Sequence, residues 1–239
     1  MSVFHFKQFD VRNEKSAMKV NTDGVLLGVA VTLDGEEKSI LDCGTGTGTI
    51  ALILAQRSAG ALVKGNDVDG PSVEEAELNF SVSPWAERLK AERLSVTDVA
   101  GEYDLIVSNP PYFDDSLQAF GQRRNFSRHT GVGEGSMSYR EVFQCAARCL
   151  SASGRVAVIL PSDQEMAARR FAAGVDLCLS SVLRIRTTER KVPKRVILEF
   201  TRVRPQEISE ELLTMIKEGR YTPEYISLVQ DFYLLPPSL

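Results

Sequence analysis

The spacing of apolar side chains along the 239-residue chain changes between the two-residue period of strands and the longer period of helices. Residues 1–20 alternate apolar and polar side chains, which predicts a short hairpin, and a helix is predicted to start near Thr22. From residue 39 onward strand and helix patterns alternate. The predicted strands are Ser39–Cys43, Ala61–Asp67, Leu89–Val96, Tyr103–Ser108, Arg155–Leu160, Leu177–Arg186 and Arg195–Thr201. The predicted helices are Gly48–Arg57, Ser72–Phe80, Tyr139–Leu150, Gln164–Ala173, Glu210–Lys217 and Pro223–Phe232.

This alternation predicts βαβ units on a mostly parallel sheet, the α/β class. Ligands of such sheets bind at the carboxyl ends of the strands. We expect one domain over residues 1–239, with the hairpin at about 1–20 and a C-terminal helical segment at about 206–234.

Composition narrows the class of protein. Apolar residues make up 43% and charged residues 25% of the chain, as in an ordinary globular protein. The longest apolar run, Val25–Val31, is far shorter than the roughly 20 residues that a membrane span needs. The first residues lack the pattern of a signal peptide, so we expect a cytoplasmic protein without a membrane partner. The four cysteines form no C-x-x-C pair and there are only two histidines, so no metal site is expected.

A glycine-rich turn follows the first strand of the predicted sheet. Glycines recur at every second position, Gly44, Gly46 and Gly48, and Asp42 precedes them. Glycines let the backbone turn tightly and let a ligand approach it closely. Asp42 would repel a pyrophosphate but suits the ammonium group of an amino acid, which favours S-adenosylmethionine (SAM) over a dinucleotide. The alternative is an accidental glycine-rich loop.

Two acidic residues follow the next two strands. Asp67 can accept hydrogen bonds from both hydroxyls of a ribose, and Asp98 can accept one from an adenine amino group. Each could instead be a solvated strand end or a helix cap, and Asp69 competes with Asp67 for the ribose.

The segment 18–24 opens the first predicted helix, where free backbone N–H groups can bind an anion. Thr22 and Asp23 are therefore candidate contacts for the carboxylate of SAM. An ordinary helix cap explains the same spacing.

The fourth strand ends in Asn109-Pro110-Pro111-Tyr112, the most specific motif in the chain. The prolines stiffen the turn, so that the carbonyl between Asn109 and Pro111 can point outward beside the Asn109 side-chain oxygen. Two acceptors can hold both protons of an –NH₂ group and direct its lone pair at a methyl donor, while Tyr112 can stack on a planar substrate. We assign all four residues to catalysis, and Asn109 to the cofactor site as well. The alternative is a rigid turn that only ends a buried strand.

The glycine turn and the Asn-Pro-Pro-Tyr motif together resemble class I amino-methyltransferases that act on adenine N6, glutamine amides or guanine N2. Further segments are similar to the bacterial tRNA1(Val) adenine-37 N6-methyltransferase family. They are Phe6–Phe9, Met18–Val20, Thr22–Gly24, Leu26–Gly28, Ser83–Arg88, Pro193–Val196, Tyr225 and Asp231–Leu234. The resemblance implies a Rossmann-like, seven-stranded sheet with its last strand antiparallel and helices on both faces. It also implies SAM as cofactor and, as substrate, the adenine beside the anticodon of tRNA1(Val).

Any contact with RNA must come from local basic patches, because the net charge is −4. Such patches with an aromatic residue between them suit single-stranded RNA, although a solvated charge run explains them equally well. The first patch is Arg123, Arg124, Arg128 and His129, with Phe126 between them. The second is Arg184, Arg186, Arg190, Lys191, Lys194 and Arg195, of which Arg190, Lys194 and Arg195 are assigned to RNA.

Three other functions remain open from the sequence. A guanine-N2 methyltransferase of rRNA uses the same kind of acceptor site. A glutamine methyltransferase does too, but only about 38 residues precede the first strand of the sheet, too few for a separate recruiting domain. A SAM-sensing or RNA-binding module without activity would not need the acceptor motif. The sequence does not determine the oligomeric state.

Overall fold

The computed structural model describes residues 2–111 and 137–234, and most of its strands belong to one mixed sheet. In chain order the strands are β1 (Val3–His5), β2 (Asp10–Arg12), β3 (Ser39–Cys43), β4 (Leu62–Asp67), β5 (Leu89–Arg93), β6 (Tyr103–Ser108), β7 (Leu150–Pro161), β8 (Cys178–Thr188), β9 (Arg195–Thr201), β10 (Ser209–Lys217) and β11 (Arg220–Tyr221). The sheet order is β11-β10-β8-β9-β7-β6-β3-β4-β5.

Strands β3 to β9 form the expected seven-stranded arrangement. β3 lies at the centre, parallel to β4 on one side and to β6 on the other. β9 is antiparallel to both β7 and β8, which confirms a parallel sheet whose last strand runs in the opposite direction. Because β3, β4, β5 and β6 are parallel, their carboxyl ends share one edge of the sheet.

The predicted helix Glu210–Lys217 is wrong. Residues Ser209–Lys217 form β10, which pairs in parallel with β8 and extends the sheet beyond the seven strands. Glutamate, leucine and methionine favour helices, but hydrogen bonds to the open edge of β8 outweigh this weak local preference. In the segment 206–234, which was expected to be helical, only Pro223–Val229 forms a helix.

Helices cover both faces of the sheet. They are α1 (Thr22–Ala30), α2 (Thr49–Arg57), α3 (Gly70–Ser81), α4 (Tyr139–Cys149), α5 (Glu165–Ala173) and α6 (Pro223–Val229). One apolar core contains side chains of α1, α2, α3 and α6, and the other contains side chains of α4 and α5. Within residues 2–111 and 137–234, no helix combines the length and the apolar character that a membrane crossing requires.

The predicted N-terminal hairpin is confirmed, because β1 and β2 pair antiparallel. Phe6 forms a bridge with Tyr233, and the Lys7 N–H donates to the Phe232 carbonyl (2.8 Å), so the hairpin joins the two ends of the described chain. After β2, the Glu75 carboxylate of α3 accepts hydrogen bonds from the backbone N–H groups of Lys15 (2.9 Å) and Ser16 (2.8 Å). This anchor directs the following residues to the carboxyl edge of the sheet.

Candidate active site at the carboxyl edge of the sheet

The glycine turn and the Asn-Pro-Pro turn leave the sheet side by side. Cys43, the last residue of β3, pairs in register with Ser108, the last residue of β6. The Ser108 hydroxyl also donates a hydrogen bond to the Cys43 carbonyl at 2.8 Å. The residues that follow, Gly44 and Asn109, are therefore neighbours although they lie far apart in the chain.

The glycine turn has a backbone that only glycine adopts readily. Gly44, Gly46 and Gly48 have φ angles of 71°, 55° and 80°. A Cβ at Gly44 would lie only 2.8 Å from Cε of Met137, and one at Gly48 would overlap the Phe80 ring. Side chains are therefore excluded at Gly44 and Gly48, and we call the turn from Gly44 to Gly48 the cradle.

Asp42 lies beneath the turn with an exposed fraction of 0%. The Thr45 hydroxyl donates to Oδ2 at 2.8 Å, whereas Oδ1 is buried and has no hydrogen-bond partner in the described residues. Burial raises the pKa of Asp42 to about 7. The hydrogen bond from Thr45 stabilises the turn. Because the carboxylate has no accessible surface in this conformation, its contact with a ligand ammonium stays a prediction.

Asp67 and Asp69 have different positions and partners. Asp67 Oδ2 accepts a hydrogen bond from the Gly46 N–H and Oδ1 accepts one from the Asp69 N–H, both at 3.0 Å. Asp69 caps α3 by accepting from the Ser72 N–H at 3.0 Å. Burial raises the pKa of Asp67, whose carboxylate borders the turn. This geometry favours Asp67 over Asp69 for the ribose.

Asp98 lies farther from the sheet than the sequence indicates, because β5 ends at Arg93 and not at Val96. The Asp98 side chain is exposed and accepts a hydrogen bond from the Thr97 hydroxyl at 3.2 Å. Its contact with an adenine stays a prediction.

The Asn109 side chain is nearly buried, with 8% of its surface exposed. Its Nδ2 lies 3.4 Å from Asn21 Oδ1 and 3.6 Å from the sulfur of Met18. Pro110 is buried and Pro111 half-buried, whereas Tyr112 lies outside the described residues. The amide of Asn109 thus faces the start of α1.

The start of α1 contains a residue that the sequence analysis did not single out. Asn21 is the N-cap, since its Oδ1 accepts from the Gly24 N–H at 2.8 Å. Thr22 is exposed, and Asp23 accepts from Nε of Arg195 at 2.6 Å. Asparagine directly before an apolar helix is a recognisable N-cap, so the sequence alone could have identified Asn21 as the residue that caps α1. Asp23 and Arg195, which were assigned to different ligands, form one ion pair.

The second basic patch divides into paired and exposed residues. Arg184 forms ion pairs with Glu165 and Glu210, both at 2.8 Å, and Arg186 donates to the Thr214 hydroxyl at 2.8 Å. The turn between β8 and β9 exposes the remaining members, which are Arg190, Lys191 and Lys194. Because β8 runs parallel to β7, this turn lies at the same edge of the sheet as Asn109. The first patch, Arg123, Arg124 and Arg128, lies outside the described residues.

The buried cysteines are Cys43, Cys145 and Cys149, and all are free thiols. Over the described ranges, 2–111 and 137–234, no group of three or more histidine, cysteine, aspartate or glutamate side chains has the arrangement of a metal site.

Solved structures support the fold. A predicted O-methyltransferase from Agrobacterium tumefaciens matches with a TM-score of 0.67, covering 87% of this chain and 95% of that chain at 16% identity. A ribosomal protein L11 methylase from Lactobacillus delbrueckii subsp. bulgaricus matches with a TM-score of 0.53, covering 75% and 76% at 17% identity. At these identities the likeness extends to the class I methyltransferase fold alone.

Sequence comparison identifies the family. The model of the methyltransferase small domain matches residues 16–175. A tRNA1(Val) (adenine(37)-N6)-methyltransferase from Bacteroides fragilis is 38% identical over 236 residues, covering 97% of each chain. A protein of the same name from Flavobacterium johnsoniae is 38% identical over 237 residues, covering 97% of this chain and 99% of its own. With its glycine turn beside Asn109 and a likeness that runs almost from end to end, the chain belongs to the tRNA1(Val) (adenine(37)-N6)-methyltransferase family.

Proposed function

We propose that this protein transfers the methyl group of SAM to the exocyclic N6 of an adenine in tRNA, namely adenine 37 of tRNA1(Val). The observation that carries the proposal is the register of β3 and β6, which joins a ligand cradle and an amine-binding turn through Cys43 and Ser108. The relatives that bear the name of this activity match 97% of the chain. Methylation of a tRNA base agrees with the expected cytoplasmic location.

The residues at the turn fit SAM. The cradle has no space for a side chain at Gly44 or Gly48, and the Asp67 carboxylate beside it can accept hydrogen bonds from ribose hydroxyls. The start of α1 presents backbone N–H groups that suit a carboxylate. When bound, SAM supplies a methyl group that its sulfonium already activates for attack.

The acceptor turn has to orient the amine of the base. Its nitrogen lone pair is delocalised into the ring, so the amine attacks well only when it becomes more tetrahedral. The side-chain oxygen of Asn109 and the carbonyl of Pro110 can accept its two protons and direct the lone pair at the methyl group. These bonds strengthen as positive charge develops on nitrogen, so they act on the transition state. No strong base is needed before the attack, because the methylated nitrogen can lose its extra proton to water afterwards.

The substrate RNA needs a positively charged surface near this edge. Arg190, Lys191 and Lys194 form an exposed basic turn there, and we assign it to phosphates of the tRNA. An acidic chain with a basic patch at its active edge would bind RNA locally, and not over its whole surface.

The activity is tested with purified protein, methyl-labelled SAM and unmodified tRNA1(Val), followed by mapping of the methylated nucleotide. Label at N6 of adenine 37 is expected, and no label should appear in a transcript with guanosine at that position. Transfer to rRNA guanine or to a protein glutamine, with none to tRNA, would contradict the proposal.

Asn109→Ala tests the acceptor turn in the same assay. Loss of one preorganised contact should lower the single-turnover rate by about 10²–10³-fold. SAM affinity, measured by calorimetry, should fall much less than the rate, because the glycine turn and Asp67, which provide the other proposed SAM contacts, are intact. A near-normal rate would mean that the Asn-Pro-Pro turn is only a scaffold.

A further inference from the structure

The side chain of Asn21 is held at both ends. Its Oδ1 accepts the Gly24 N–H at 2.8 Å, and its Nδ2 donates to the Lys19 carbonyl at 3.0 Å. The segment that carries it is fixed in turn, because the Val20 N–H donates to Asn13 Oδ1 at 3.0 Å. Asn21 is therefore a rigid group at the start of α1.

This rigid group contacts the amide that the proposed reaction uses. Asn21 Oδ1 lies 3.4 Å from Asn109 Nδ2, and Asn109 is nearly buried. We propose that Asn21 is a positioning residue, which selects the amide orientation of Asn109 that presents oxygen, and not nitrogen, to the substrate amine. The inference rests on the proposed function and adds a residue that acts through Asn109.

The orientation matters because the two ends of an amide have opposite hydrogen-bonding roles. The oxygen accepts hydrogen bonds, whereas the –NH₂ group only donates them. A flipped Asn109 would point two donors at the donor protons of the substrate amine, and the substrate would lose one acceptor. An acceptor on the α1 side favours the productive orientation, since it satisfies the Asn109 N–H groups there.

Asn21→Ser separates this role from the capping role. Serine caps helices about as well as asparagine, so the thermal midpoint should not change, but its shorter side chain does not reach Asn109. The single-turnover rate on unmodified tRNA should fall about 5- to 10-fold, the effect of one neutral hydrogen bond, with little change in the KM for tRNA. Lys15→Ser is the matched control: it alters the same segment at an exposed side chain that pairs with Glu74, away from Asn21 and Asn109, and it should retain the rate.

The double variant distinguishes positioning from a general structural effect. If Asn21 acts through Asn109, Asn21→Ser should slow the wild-type protein but cause no further loss in Asn109→Ala. An equal loss in both backgrounds, or a wild-type rate for Asn21→Ser, would overturn the inference. If the wild-type protein methylates a different amine and not tRNA, the proposed function fails. The wild type, the two single variants and the double variant are then assayed on that amine, and their rates decide the inference separately.

Discussion

Burial of carboxylates sets the electrostatics of the active edge at the scale of single residues. Asp42 and Asp67 both border the glycine turn, and burial raises the pKa of both. Both accept hydrogen bonds from the turn, Asp42 from the Thr45 hydroxyl and Asp67 from the Gly46 N–H. The same acids therefore hold the cradle in shape, while burial opposes their ionisation.

Asp42→Asn should change the pH dependence of stability. The pKa of Asp42 is about 7 in the folded protein and near 3.8 when unfolded, so only the folded state binds this proton between those pH values. The free energy of unfolding contributed by Asp42 therefore falls as pH rises from about 4 to 7. Asparagine still accepts from Thr45 and carries no charge.

Urea unfolding at several pH values measures this effect. The variant should be more stable than wild type at pH 8 by at least about 1 kcal/mol, and the difference should vanish towards pH 4. Asp98→Asn, at an exposed carboxylate, is the matched control. A constant difference at all pH values would show that burial does not suppress ionisation of Asp42.

Asp67→Ala should weaken SAM binding, because a charged acceptor at the turn would be lost. The expected change is roughly 1.5–3 kcal/mol, the scale of hydrogen bonds to a charged group. Asp69→Asn keeps an oxygen for the cap of α3 and should bind SAM as wild type does. Calorimetry with both variants decides between these neighbours, and equal weakening would contradict the assignment of the ribose to Asp67.

At the scale of elements, β10 shows what a local pattern does not determine. After Ser209 its sequence continues with two glutamates and two leucines, which suit a helix as well as a strand. The alternation becomes visible only in the sheet, where Leu213 is 4% exposed and Leu212 is 52% exposed. Pairing with β8, more than twenty residues earlier in the chain, selects the strand.

This difference gives a paired test. Leu213→Ala should destabilise the protein by about 2–5 kcal/mol, because it removes a buried side chain. Leu212→Ala removes the same atoms from the exposed face and should change the free energy of unfolding by less than about 0.5 kcal/mol. Urea denaturation of both variants measures the two values. Equal losses would contradict the opposite burial of these neighbours.

The central part of the site could be predicted because its signals are local. Gly44, Gly46 and Gly48 occupy left-handed backbone that excludes most other residues, so the sequence itself indicates the turn. The proximity of Asn109 to the glycine turn could be predicted from the parallel strands, since the carboxyl ends of parallel strands share an edge of the sheet. The ion pair of Asp23 with Arg195 could not be predicted, because it joins residues 172 positions apart and depends on where the fold places the start of β9 relative to α1.

At the scale of the whole molecule, the proposed function requires an acidic protein to bind a polyanion. The net charge of −4 opposes binding at long range, so the local distribution of charge has to direct the tRNA. Arg184 is neutralised by Glu165 and Glu210, and Arg195 is paired with Asp23. The exposed turn between β8 and β9 therefore carries the cationic side chains of this patch that remain accessible to phosphates, and they lie at the edge where methyl transfer would take place.

The double variant Arg190→Gln with Lys194→Gln should weaken tRNA binding and flatten its salt dependence. For each phosphate contact that is lost, binding releases about one counterion fewer. The magnitude of the slope of log K against log salt should therefore decrease by about one to two. SAM affinity should not change, since neither side chain belongs to the glycine turn. The control, Lys38→Gln with Arg204→Gln, removes the same charge from exposed positions at the opposite edge of the sheet, before β3 and after β9. Filter binding of tRNA at several salt concentrations compares the two proteins at equal net charge. If both lose the same affinity and slope, net charge and not the β8–β9 turn determines RNA binding, and the tRNA docks elsewhere on the molecule.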